Sequence, residues 1–217
     1  MPDPHASFAK TRRASPAAGA PAEPPATVMP PVHRDCRPLY FNAPELRQID
    51  QLLDIGGGPG FVASLLKEEV PRIRITVFDL PPVCEHALEI FRASGQSRDL
   101  GAHSGNFLAD ALPSGFPVMQ LSHVIEMLPP ELVLFLLRKI HAALPPFGRL
   151  IVYGNACDAM RYVKPGSASP HDAAPLSPHE INRYSTRQYV QWLRMVDFST
   201  VQYRGDAAGN LFLTATK

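Results

Sequence analysis

Residues 51–82, QLLDIGGGPGFVASLLKEEVPRIRITVFDLPP, constrain what this chain can fold into more than any other stretch. An apolar run at 52–55 stops at Gly56-Gly57-Gly58-Pro59-Gly60, helical spacing follows through Phe61, Leu65 and Leu66, and a second run at 73–78 leads to Asp79. Strand, glycine turn, helix, strand and acid in that order make half of a nucleotide-binding fold. A chain that turns from strand to helix around a ligand passes through positive φ and must approach the ligand closely, which glycine permits at least cost. Asp79, at the carboxyl end of the second strand, can accept hydrogen bonds from both hydroxyls of a ribose seated over the turn. A tight structural turn would explain the glycines by themselves, but not the turn, helix and acid at this spacing.

The glycine spacing narrows the ligand. A dinucleotide fingerprint starting at Gly56 and Gly58 requires its third glycine at position 61, which is Phe61; the third glycine comes one place early, at Gly60. Pro59 also removes one backbone N–H, leaving fewer donors for a pyrophosphate. A ligand with a ribose and no phosphate fits better.

These residues resemble the class I S-adenosylmethionine-dependent methyltransferases, and among them the plant-type and bacterial small-molecule O-methyltransferases. The resemblance is carried by LLDIGGGPG at 52–60, VFDLPPV at 77–83, SGNF at 104–107, and LSHVIEMLPPE at 121–131 continuing into LLRKIHAALPPFGRLIVY. It implies an α/β, Rossmann-like methyltransferase fold: a mostly parallel seven-stranded sheet with a reversed C-terminal strand and helices on both faces. The cofactor implied is S-adenosyl-L-methionine, with Gly56, Gly58, Asp79, Leu80, Asn106, Phe107 and Ser122 as its contacts and no metal.

The chain departs from the family at two site positions. Similar proteins carry an Asp after the glycine of the third strand, to accept from the adenine amino group; here it is Asn106, a neutral and weaker acceptor. Phe107 retains a stacking surface, although a plain core aromatic would look the same in sequence. The family's general base is a His in a His-Asp-Trp run just past the fourth strand, and the aligned run here is Glu126-Met127-Leu128. Methyl transfer to a hydroxyl needs a base to take its proton, and a desolvated carboxylate can serve. Glu126 is therefore the first catalytic candidate and His123 the second; an exposed acid at a helix start is the competing reading of Glu126.

Proteins similar to this one also carry a helical, winged-helix-like domain ahead of the glycine turn, which makes the dimer and closes over the acceptor. Here the expectation is a Pro/Ala-rich disordered tail at 1–31 followed by one methyltransferase domain at 32–217, a minimal form or a fragment. Without the dimerisation domain, a monomer or weak homodimer is expected. A net charge of +1 gives no basic surface for nucleic acid. No apolar run is long enough to meet a membrane, and Cys36, Cys84 and Cys157 form neither a disulfide framework nor a zinc pattern. The expected setting is cytoplasmic. Consecutive Cys84, Glu85 and His86 point to different faces of a helix and cannot converge on an ion.

The remaining pattern predicts a short helix within 32–50, a helix at 82–93 with Val83, Ala87, Ile90 and Phe91 inward, and a strand at 102–104. It continues with a strand at 116–122, a helix at 131–144 with Leu132, Phe135, Leu136, Ile140 and Leu144 inward, and a strand at 149–153. A polar, Pro-rich connection at 155–178, with Met160, Tyr162 and His171, could line an acceptor pocket. A helix at 185–195, N-capped by Ser185, and a closing antiparallel hairpin at 201–204 and 211–216 complete the chain. The functional expectation is O-methylation of a small, aromatic or natural-product-like acceptor. The alternative is a noncatalytic S-adenosylmethionine-binding domain without lid and base. A nicotinamide-dependent oxidoreductase is disfavoured by the glycine spacing and the hairpin.

Overall fold

The computed structural model describes residues 37–157, 184–206 and 209–217. The expected tail at 1–31 and the residues Met160, Tyr162 and His171 lie outside the described residues.

Seven strands form one sheet in the order β3-β2-β1-β4-β5-β7-β6. They are β1 (Gln51–Ile55), β2 (Arg74–Asp79), β3 (Leu100–Ser104), β4 (Val118–Ser122), β5 (Arg149–Asn155), β6 (Thr200–Gly205) and β7 (Asn210–Thr216). The first five run parallel, and β7 is antiparallel to both β5 and β6. This is the expected mostly parallel sheet with a reversed C-terminal strand.

Period-two alternation sends neighbouring strand residues to opposite faces, so two cores form. Leu52, Ile75, Val77, Ile151 and Phe212 pack beneath α1 (Arg37–Phe41), α2 (Phe61–Glu69) and α3 (Pro81–Ala93). Leu53, Ile55, Phe78, Leu121 and Leu213 pack beneath α4 (Pro130–Ala143) and α5 (Thr186–Met195). Ser185 caps α5 as expected: its side chain accepts from the Gln188 N–H while the Gln188 side chain accepts from the Ser185 N–H. Among the described residues, no helix is long and apolar enough to cross a membrane.

Several local expectations shift. The helix expected within 32–50 is two short pieces, α1 and a 3-10 turn at Leu46–Gln48. β3 begins two residues before the predicted strand, and β5 continues through Gly154 and Asn155. β4 starts at Val118, after Phe116 and Pro117; proline has no N–H to give the ladder. In α3 the deepest side chains are Cys84, Ala87 and Phe91, with Val83 and Ile90 only half-buried. The thiol of Cys84 points at the Asp79 and His103 carbonyls, while Glu85 and His86 are exposed. In α4 the buried ridge is Val133, Leu136, Leu137 and Ile140, so Phe135 is exposed at 43% and Leu132 half-buried. A helix with apolar residues on more than one stripe offers several ridges, and contact with the sheet selects one.

Candidate active site

The carboxyl ends of β1, β2, β3, β4 and β5 share one edge of the sheet, the edge at which open α/β folds hold their ligands. At the end of β1 the glycine turn takes left-handed backbone at Gly56 (φ 69°) and Gly58 (φ 59°). A Cβ added at Gly56 would lie 2.7 Å from Val124 Cγ2, so that position is closed by the protein itself. At Gly58 an added Cβ would meet nothing within 4 Å. Gly58 thus faces open space, and only the turn conformation and whatever enters that space require glycine there.

Asp79 is tied to this turn. Its Oδ2 accepts from the Gly58 N–H at 2.9 Å and its Oδ1 from the Leu80 N–H at 2.8 Å. The carboxylate is half-buried, each oxygen keeps a further lone pair, and the neighbouring Leu80 is 48% exposed. An acid held beside a glycine cradle, with an exposed apolar side chain next to it, suits a ribose and its attached base. These residues fit the nucleoside part of S-adenosylmethionine.

The loop after β3 closes on the same turn. Phe107 is half-buried, and its Cε1 would stand 3.5 Å from a Cβ at Gly56, so its ring lies against the glycines. Asn106 is exposed; its Oδ1 accepts from the Leu108 N–H at 2.9 Å and its own N–H donates to Asp110 Oδ2 at 2.8 Å. The amide oxygen therefore already shapes the loop and has one lone pair left. Lys139, from α4, secures this loop by donating to the carbonyls of Phe107 at 2.7 Å and Asp110 at 2.5 Å. Burial draws the Lys139 ammonium below the ordinary lysine range, with nearby Asp110 opposing the shift.

At the end of β4, Ser122 is buried and its Oγ makes no hydrogen bond among the described residues. His123 follows with φ 55°, a left-handed backbone that costs a non-glycine residue about 1–2 kcal/mol. Its N–H still donates to the Tyr153 carbonyl, at 2.8 Å, and the next residues turn away into a 3-10 turn, Ile125–Met127. That turn carries Glu126 inward. The residue is 3% exposed, which overturns the reading of Glu126 as an exposed acid at a helix start. Oε1 of Glu126 accepts from the Asn155 N–H at 2.5 Å and lies 3.6 Å from Nδ1 of His123. The His123 ring sits edge-on to Tyr153, 5.1 Å between centroids, with 18% of its side chain exposed. Tyr189 of α5 donates to the Asn155 carbonyl at 3.1 Å; burial first, and then the charge of Glu126, push its phenol well above the ordinary tyrosine range, so it remains a neutral donor.

The expected site residues thus gather into two groups along the edge: Gly56, Gly58, Asp79, Leu80, Asn106 and Phe107 around the glycine turn, and Ser122, His123 and Glu126 at the end of β4. Four further residues were not singled out from the sequence, and three of them carried weak signals. Gly154 is the only glycine in its strand, and a Cβ there would overlap Glu126 Oε1. Asp54 and Gln120 are polar residues flanked on both sides by apolar ones within their strands, a pattern that could have singled them out. Lys139 on an amphipathic helix has no distinguishing local signal.

The profile of the O-methyltransferase domain family matches residues 38–167. Demethylspheroidene O-methyltransferase of Rhodobacter capsulatus is 38% identical over 108 residues, covering 50% of this chain and 26% of that protein. The N,N-dimethyltransferase OxyT of Streptomyces rimosus is 34% identical over 149 residues, covering 66% of this chain and 41% of that protein. The fold matches the apo crystal structure of the S-adenosylmethionine-dependent methyltransferase SibL with a TM-score of 0.72 at 21% identity, over 86% of this chain and 55% of that one. The chain therefore spans about half or less of the length of these three proteins.

Proposed function

This chain belongs to the O-methyltransferase domain family, and from that premise we propose that it binds S-adenosylmethionine at the glycine turn and methylates a hydroxyl of a small, aromatic or natural-product-like acceptor. The observation that carries the reading is the bond between the Gly58 N–H and Asp79 Oδ2, which sets an acid with the chemistry to accept from a ribose beside a glycine that faces open space. S-adenosylmethionine, when bound, supplies an activated sulfonium methyl group. Gly56, Gly58 and Asp79 would hold its nucleoside, Leu80 and Phe107 would lie against the base, and Asn106 and Ser122 would complete the contacts.

His123 would take the acceptor hydroxyl's proton, and Glu126 would orient the ring and stabilise the imidazolium so formed. Two observations support this division. Glu126 is almost wholly buried with Oε1 engaged by Asn155, whereas His123 keeps part of its ring exposed at the sheet edge. Glu126 Oε1 lies 3.6 Å from Nδ1, on the side of the ring away from Nε2, the nitrogen proposed to meet the hydroxyl. The relatives support the acceptor class by their names: one methylates demethylspheroidene on oxygen, while OxyT is named an N,N-dimethyltransferase, so acceptor oxygen against nitrogen is part of what must be tested.

Isothermal titration of the full chain with S-adenosylhomocysteine and with NAD tests the cofactor: heat with the first alone is expected, and none with the first overturns the reading. Transfer of labelled methyl from S-adenosylmethionine to paired phenolic and amine acceptors tests the reaction. His123→Ala and Glu126→Gln are expected to lower transfer about 100-fold or more while leaving S-adenosylhomocysteine affinity unchanged. Full transfer in His123→Ala would remove it as the base.

A further inference from the structure

A chain of buried polar groups runs through the sheet to the underside of the glycine turn. Asp54 lies in the middle of β1 and is 0% exposed. It faces the turn directly: a Cβ at Gly57 would stand 2.7 Å from Asp54 Oδ2 and 2.8 Å from its Cγ. Gln120, its register partner on β4 and equally buried, donates from Nε2 to Asp54 Oδ1 at 3.0 Å. The amide oxygen of Gln120 in turn accepts from the hydroxyl of Tyr40, which is 1% exposed and comes from α1, ahead of the sheet. Residues of α1 and β1 are therefore joined through the distant β4 in one line of hydrogen bonds that ends beneath the ligand turn.

The direction of each bond is determined by the chemistry of the groups. Burial, and then the nearby Asp54 charge, push the Tyr40 phenol well above its ordinary range, so it remains a donor. A phenol donating to Oε1 leaves Gln120 only its NH2 to present to Asp54, which as a carboxylate can only accept. The Tyr40 ring cannot easily swing away: it stands edge-on to Tyr153 at 5.1 Å and to Phe212 at 5.8 Å. Burying a carboxylate is costly, and an apolar trio of the same volume would be as stable or more so. What the polar chain provides instead is a defined position and orientation for Asp54, and with it for the backbone that packs on its carboxylate.

We propose that Tyr40 and Gln120 are positioning residues for cofactor binding: acting through the buried Asp54 carboxylate, they set the height and tilt of the 56–60 turn. The inference rests on the reading that this turn holds S-adenosylmethionine. It makes Tyr40 of the short α1 segment part of the cofactor site, acting through Gln120 and Asp54. The turn is then held from two sides, by Asp79 at Gly58 and by Asp54 under Gly57.

Tyr40→Phe removes one hydroxyl and leaves the ring packing intact. We expect it to weaken S-adenosylhomocysteine binding roughly five- to tenfold by titration calorimetry, and to speed amide hydrogen exchange at 56–60 in the ligand-free protein. The comparison is Phe198→Leu, a core substitution on the opposite face of the sheet, which should lower the thermal midpoint at least as far without changing affinity or exchange in the turn. Gln120→Leu should reproduce the Tyr40→Phe effects more strongly; should it fail to fold, Tyr40→Phe decides. Unchanged affinity in Tyr40→Phe, or an equal loss in Phe198→Leu, overturns the positioning role while leaving the cofactor reading in place. A parent protein that gives no heat with S-adenosylhomocysteine overturns the cofactor reading itself and this inference with it.

Discussion

The amide N–H of Asn155 donates to Oε1 of Glu126 at 2.5 Å, joining the last residue of β5 to the 3-10 turn that follows β4. The carboxylate reaches the strand because the residue before Asn155 is Gly154, whose missing side chain leaves room for that same oxygen. A buried carboxylate with a backbone partner is held in place, and His123 is held beside it.

Gly154→Ala places a methyl group where Glu126 Oε1 lies. Neither the strand backbone nor a 3%-exposed Glu126 can yield freely, so the variant is expected to lose about 1–3 kcal/mol of stability by urea denaturation. Adding Glu126→Ala should recover part of that loss, since the clash disappears with the carboxylate. A single variant as stable as the parent would show that Glu126 can relocate.

Asp79→Asn keeps the size of the side chain but retains only one carbonyl oxygen for the Gly58 and Leu80 N–H groups and the ribose. S-adenosylhomocysteine affinity is expected to fall about 10- to 100-fold, the scale of one or two lost charge-assisted hydrogen bonds. The far-UV spectrum should be unchanged. Parent-like affinity would place the ribose elsewhere.

Lys139→Met keeps the apolar stem against Phe135, over whose ring the ammonium sits at 5.4 Å, and removes both bonds to the loop after β3. The loop at 105–110 should become more accessible to proteolysis, and cofactor affinity should drop severalfold because Phe107 is no longer held against Gly56. Stability is expected to fall by about 1–2 kcal/mol. An unaltered proteolysis pattern would mean that the loop is held by its own Asn106–Asp110 contacts.

Glu45 and Arg204 tie the segment before β1 to the edge strand β6 at 2.6 Å. Burial by itself would raise the Glu45 pKa, but hydrogen bonding and charge from Arg204 outweigh it and the group lies below the ordinary glutamate value. A folded pKa below the unfolded one means stabilisation that is complete above the unfolded pKa and lost as pH falls through the folded one. The pair is partly exposed, so the contribution is small, about 0.5 kcal/mol. The thermal midpoint of Glu45→Gln should therefore fall short of the parent at pH 6 and converge with it below the glutamate range. A constant gap between the two curves would exclude this ion pair as the cause.

The order of strands and helices, the glycine turn, Asp79 and the Ser185 cap were all legible in the sequence, because each rests on local chemistry: alternation along a strand, positive φ in a turn, a side chain reaching three residues ahead. Phe135 misled the reading of α4 because apolar residues lay on more than one ridge and only the sheet could choose between them. Glu126 stood out in the sequence as a catalytic candidate, yet its burial against β5, with Gly154 leaving room for its carboxylate, came from a strand almost thirty positions away.

What the sequence by itself determined is a nucleotide-binding βαβ unit with its turn and its acid, features that neighbouring residues specify for one another. Tertiary structure alone decided the rest. It seated the Glu126 carboxylate against Asn155, clamped the loop of Phe107 with Lys139 across 32 residues, and joined Tyr40 to Gln120 across 80. These contacts arise where parallel strands and their covering helices converge on one edge. Polar groups there are removed from water and must find partners in whatever the fold brings beside them.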